Sequence, residues 1–103
     1  MPYNVLVTEA AQSDLMDALD YISTTFANPS AAGNLLIQIE ECYVQLGNYP
    51  MMYAACQDPR LQAAGYRKAV IGHFVLIYRV HEIDHTVFVL RFFYGGRDYE
   101  KLL

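Results

Sequence analysis

Four residues near the C-terminal end carry side chains suited to phosphate chemistry: Arg91, Tyr94, Arg97 and Tyr99. An arginine fork holds a phosphate through paired charged hydrogen bonds, and a phenol can act on a proton. His73, beside a turn, is a further candidate acid or base. Arg67, Lys68 and Arg79 add cations that could bind an anionic partner. Each also has a plainer reading. Arg79 and Arg91 pair with carboxylates or with a partner, the tyrosines pack in the core, and His81 and His85 flank a turn in water. Asp14, Asp17 and Asp20 recur every three residues, which suggests either a cation site or a solvated helix stripe. Without a ligand-bearing loop the stripe is the expectation. The histidines and cysteines are scattered, so no metal or cofactor is implied. Cys42 and Cys56 are too few for a disulfide framework and read as reduced thiols, Cys42 as core filler.

Charge is divided unevenly between the elements that must position these groups. The net charge is -4 over 103 residues, yet all seven Lys and Arg lie at or after Arg60. Residues 1–59 hold seven acids and no base, and residues 60–103 hold seven bases and four acids, giving -7 and +3. An anionic partner would therefore meet the second half, unless these bases are simply solvated. At this length one domain is expected, spanning residues 1–103, and 54% hydrophobic residues suffice for a core. No stretch approaches the roughly 18 apolar residues of a membrane span, and the opening MPYNVLVTEAA lacks the basic region of a secretory leader. A cytoplasmic protein is expected.

Hydrophobic periodicity predicts the elements. Tyr3–Val7 reads as a short strand, and Thr8 can cap a helix over about residues 9–26. That helix carries Ala11, Leu15, Ala18, Leu19, Ile22 and Phe26 on one stripe. Asn28-Pro29 restarts a second helix through Ala32, Leu35, Ile39 and Leu46, ending near Gly47-Asn48. So short a connection makes the pair an antiparallel hairpin. Residues 48–65 read as a loop. Three β-rich runs follow, Tyr66–Ile71, Phe74–His81 and Thr86–Tyr94, with turns at Gly72-His73 and Glu82–His85. The fold class is α+β: a two-layer domain in which a helical hairpin covers a sheet of about four strands, three of them an antiparallel meander.

The second half, with Arg67-Lys68, Tyr78-Arg79-Val80, Val89-Leu90-Arg91, Gly95 and Arg97-Asp98, is similar to the RelE/ParE superfamily of bacterial type II toxins. Ala11, Asp14, Leu15, Asp20-Tyr21-Ile22, Pro29, Ala32 and Leu46…Pro50 agree in the first half. The resemblance spans nearly the whole chain and rests on the number and order of weak motifs. It implies a growth-inhibiting toxin assembled with, and silenced by, a cognate antitoxin.

The superfamily offers two targets. RelE-like members enter the ribosome and cut messenger RNA, which would make Arg91, Tyr94, Arg97 and Tyr99 catalytic. ParE-like members inhibit DNA gyrase without cutting, which would leave Arg67, Lys68, Arg79, Arg91 and Arg97 as binding groups. Metal-free cleavage needs an activated hydroxyl, a stabilised phosphate and a protonated leaving oxygen. Where RelE-like nucleases resemble this chain early in the second meander strand, they place an arginine; here Val75 stands three before Tyr78. With a pI near 5.1, the gyrase reading is favoured. A harmless protein-binding domain is the third alternative.

Overall fold

The structure, a computed structural model, describes residues 2–25 and 27–95. β1 (Asn4–Val7) runs into Thr8, whose extended backbone frees its hydroxyl to accept from the Ala11 amide and cap α1 (Glu9–Asp20). Glu9 in the first turn complements the positive end of the helix dipole. The expected helix to residue 26 instead widens after Asp20 into a π-helical turn, Tyr21–Thr25. There the Thr24 hydroxyl donates to the Asp20 carbonyl at 2.6 Å, a bond that draws a helix off its regular ladder. Ala27, at φ +47°, reverses the chain. The Asn28 side chain then accepts from the Ala31 amide, and Pro29 opens α2 (Pro29–Asn48).

The segment expected to be loop contains one more element. Asp58 accepts from the amides of Arg60 and Leu61 at 2.9 and 3.2 Å and starts α3 (Pro59–Ala63). The Asp-Pro pair is a cap followed by a first-turn proline, so this helix was readable from the sequence.

β2 (Tyr66–Ile71), β3 (Phe74–His81) and β4 (Thr86–Tyr94) form the meander with the expected limits. The sheet order is β1-β4-β3-β2, with β1 parallel to β4 and the other pairs antiparallel. One irregularity governs everything at the C-terminal end of β4. Ile77 pairs with Arg91 but Tyr78 pairs with Val89, so Leu90 is an extra residue, a bulge. Side chains alternate along a strand, and one extra residue swaps the faces. Val87 and Val89 face the helices before the bulge, and Phe92 faces them after it.

The main core lies between that face and the hairpin, built from Leu15, Leu35, Ile39, Leu46, Leu76 and Tyr78. A second, smaller core lies on the opposite face, where Leu61 of α3 and Cys56 cover Val75 and Ile77. The expected two layers thus gain a partial third. Cys42 and Cys56 are both free and sit in different cores.

Candidate functional site

The register settles which cations share a surface. On the sheet face away from the hairpin, one cross-strand row is Tyr66, Arg79 and Phe88, and the next is Lys68, Ile77 and Arg91. The third is Val70, Val75 and Phe93. Lys68, Arg79 and Arg91 therefore meet on one face across three strands. Arg67 points the other way, and its guanidinium donates to the Tyr53 carbonyl at 2.6 Å. Val75, where a nuclease-like arginine was sought, is buried beside Phe93.

Arg91 is already engaged. Its Nε donates to Asp14 Oδ2 at 2.7 Å and its Nη2 to Asp14 Oδ1 at 3.1 Å. Its guanidinium also lies 4.7 Å from the centre of the Phe93 ring. The hydrogen bonds to Asp14 push the Arg91 pKa above its ordinary value. Asp14 Oδ2 accepts in addition from the Phe92 amide at 3.0 Å. This corrects the solvated stripe expected on α1: Asp17 and Asp20 are exposed, but Asp14 is turned onto the edge of β4. The helix period puts all three carboxylates on one side, and nothing in it tells that β1 stops where Asp14 begins to serve as partner to β4.

Tyr94 lies beyond the bulge on the hairpin side of β4. Its ring meets Phe74 edge-on at 5.8 Å, and Phe74 stacks on Phe92 at 5.0 Å. The two described catalytic candidates, Arg91 and Tyr94, thus occupy opposite faces of one strand. Arg97 and Tyr99 lie outside the described residues. Tyr94 and His73 border a cavity of about 660 Å³ between the end of α1 and the edge of β4, walled by Ala18, Ile22, Phe74 and Phe92. Asp14 and Asp17 line the same cavity. Sequence reasoning missed this cavity, because its walls come from segments more than fifty residues apart.

Tyr78 is not a proton-transfer group at neutral pH. Tyr78 is fully buried, its hydroxyl donates to the Pro50 carbonyl at 3.0 Å, and burial pushes its pKa to about 12. Burial likewise raises the Cys42 thiol. Among the described residues no group of three or more His, Cys, Asp or Glu could hold a metal ion. Among them, too, no helix is long and apolar enough to cross a membrane.

The model of a protein family described as the ParE toxin of the parDE type II toxin–antitoxin system matches residues 5–99. The chain belongs to the ParE toxin family. No curated protein sequence matches it. Among solved structures, this ParE-family chain is similar to a chain of the chromosomal ParDE system of P. aeruginosa, at 20% identity and a TM-score of 0.70, covering 89% of this chain and 95% of that one. It is also similar to a doubly substituted mutant of the E. coli toxin RelE in the free state, at 15% identity and a TM-score of 0.68, covering 99% and 93%. A chain of the RelBE2 toxin–antitoxin complex of Mycobacterium tuberculosis shares 22% identity at a TM-score of 0.64, covering 91% and 99%. These likenesses show the fold: strand, two helices and a three-strand meander in a four-stranded mixed sheet.

Proposed function

We propose that this ParE-family toxin arrests growth by inhibiting DNA gyrase through protein–protein contact, and that a cognate antitoxin holds it inactive in a complex. The observation that carries the reading is the separation of the described candidate catalytic groups. Arg91 and Tyr94 leave opposite faces of β4, and the Arg91 guanidinium is engaged by Asp14, itself a wall of the cavity that Tyr94 borders. Acid–base cleavage of one phosphate requires such groups within hydrogen-bond reach of the same atoms. Inhibition by binding requires only a surface, and an acidic chain can offer one to a protein. Structural neighbours solved as toxin–antitoxin complexes support the antitoxin part of the reading.

One observation favours RelE-like cleavage of messenger RNA on the ribosome instead: Lys68, Arg79 and Arg91 share a face. Inducing the chain alone in bacteria and following thymidine and methionine incorporation separates the readings. The gyrase reading expects DNA synthesis to fail while translation continues, with the purified chain blocking supercoiling by gyrase. A first collapse of protein synthesis would transfer the function to the ribosome. Unimpaired growth would leave a harmless protein-binding domain.

A further inference from the structure

The solvent side of the helical hairpin carries residues that its own fold does not use. At 3.6 residues per turn, the positions of α2 lying opposite buried Leu35, Ile39, Cys42 and Leu46 include Gly33, Ile37 and Val44. Ile37 and Val44 are each more than half exposed and sit seven residues apart, two turns along one line. On α1, Met16 is also more than half exposed, on the side away from buried Ala11 and Leu15. Isolated exposed hydrophobics are ordinary. The α2 positions differ in that each works against the helix that holds it. β-Branched Ile and Val lose side-chain freedom in a helix and are weaker helix formers than Lys, Glu or Gln, which water would accept there. Gly33 weakens α2 further, although a Cβ at that position would meet nothing within 4 Å.

The charge around this line has one sign. Glu40 and Glu41 fall on either side of it, and Asp20 lies one turn beyond Met16 on α1; all three are exposed. Among the described residues none of these carboxylates makes a hydrogen bond or an ion pair. No Lys, Arg or His occurs in residues 1–59, so nothing on the hairpin neutralises them. A second copy laid on this face would set like charges opposite one another, which opposes self-association. An enzyme that acts on DNA holds the phosphates with Lys and Arg, a surface of the complementary sign. A helix that presents apolar residues at i and i+7 is read by a partner with an apolar groove. We propose that the outer face of the hairpin is the surface that engages the target protein. The line from Ile37 to Val44 seats in an apolar groove there, and a rim of Lys and Arg meets Asp20, Glu40 and Glu41. This assignment rests on the reading that the chain arrests growth by protein contact, and it gives that contact to the acidic hairpin and not to the cationic sheet face.

The test compares variants of the full-length chain for binding to purified gyrase and for growth arrest when induced in bacteria. Ile37→Ala with Val44→Ala removes the apolar line, while the higher helix propensity of alanine keeps or raises Tm. This double variant should bind gyrase roughly thirtyfold more weakly, from five carbons taken out of a half-buried contact. Glu40→Lys with Glu41→Lys should lower affinity roughly tenfold, mainly through the association rate, and the loss should shrink as salt rises. Ile83, exposed at the β3–β4 turn, is the control for general stickiness, and Ile83→Ala should change nothing. Growth arrest should weaken in the same two double variants. Binding and arrest undiminished in both overturn the inference and leave the gyrase reading standing. Arrest lost in both, with no binding of gyrase by the unmodified chain, supports the face with a different target and sinks only the gyrase reading. Sedimentation as a dimer that Ile37→Ala with Val44→Ala turns into a monomer would give the face to a second copy and overturn the proposal. A chain that never arrests growth overturns both.

Discussion

Removing the Asp14 carboxylate tests how the tip of β4 is held. Three donors converge on it: Arg91 Nε at 2.7 Å, Arg91 Nη2 at 3.1 Å and the Phe92 amide at 3.0 Å. The side chains of Arg91 and Asp14 are 31% and 17% exposed, which places the pair between two regimes. Fully exposed pairs contribute about 0–1 kcal/mol, and breaking a buried one costs about 3–5 kcal/mol. A value near 2 kcal/mol for the arginine fork follows, with about 1 kcal/mol more for the Phe92 amide left without an acceptor. Asp14→Ala is therefore expected to cost about 2–3 kcal/mol and lower Tm by roughly 10–20 °C in a domain of this size. Asp14→Asn keeps an acceptor for the amide and should cost about half as much. Urea unfolding of Asp14→Ala, Arg91→Ala and the double variant gives the coupling, expected near 1.5 kcal/mol. A coupling below about 0.3 kcal/mol with unchanged m-values would refute the clamp.

Alkaline pH should report on Tyr78. Its folded pKa is near 12 against an ordinary value of 10, so the unfolded state loses its proton first. The Tyr78 contribution is flat below pH 10 and falls between pH 10 and 12, by about 2–3 kcal/mol. Tyr78→Phe costs about 1 kcal/mol at neutral pH through the bond to Pro50 and shrinks that alkaline loss. The shift of Tyr43, also to about 12, leaves the variant a residual slope, but identical slopes in urea melts would contradict the burial argument. Thr8→Ala loses both a helix cap and the tie to Leu90, for about 1–2 kcal/mol, with Thr8→Ser recovering most of it by thermal melting. Leu61→Ala should cost about 2–4 kcal/mol, because this side chain is 2% exposed under α3. A change under about 0.5 kcal/mol would mean that α3 does not dock on the outer face.

The meander was legible to the residue because β-branched and aromatic runs end at Gly72-His73 and at the polar turn before Thr86. The start of each long helix was legible as well, since Thr8 and Asn28-Pro29 act through local bonds alone. What was hidden depends on relations between distant segments. No periodicity marks Leu90 as supernumerary, yet that residue decides that Arg91 joins Lys68 and Arg79 on one face. Arg67 and Lys68 are equivalent in composition and face opposite ways once the strand is registered. Asp14 carries the same helix-face signal as Asp17 and differs only in what passes beneath it. The end of α1 was overrun because the apolar stripe continues through Ile22 while the Thr24 hydroxyl redirects the backbone.

The parallel pairing of β1 with β4 also sets an order of events. The Thr8 hydroxyl and the Leu90 carbonyl it bonds are 82 residues apart in sequence. At about 5–20 residues per second, a ribosome needs roughly 4–16 s to make that interval. Until it ends, the stripes of Leu15, Leu35, Ile39 and Leu46 lack the β4 residues Val87, Val89 and Phe92 that complete their core. The Asp14 clamp and the cationic face both draw on β4, so neither exists until that strand is made. The nascent chain thus exposes apolar surface for seconds, and closing the loop from Thr8 to Leu90 is the slow step expected in refolding.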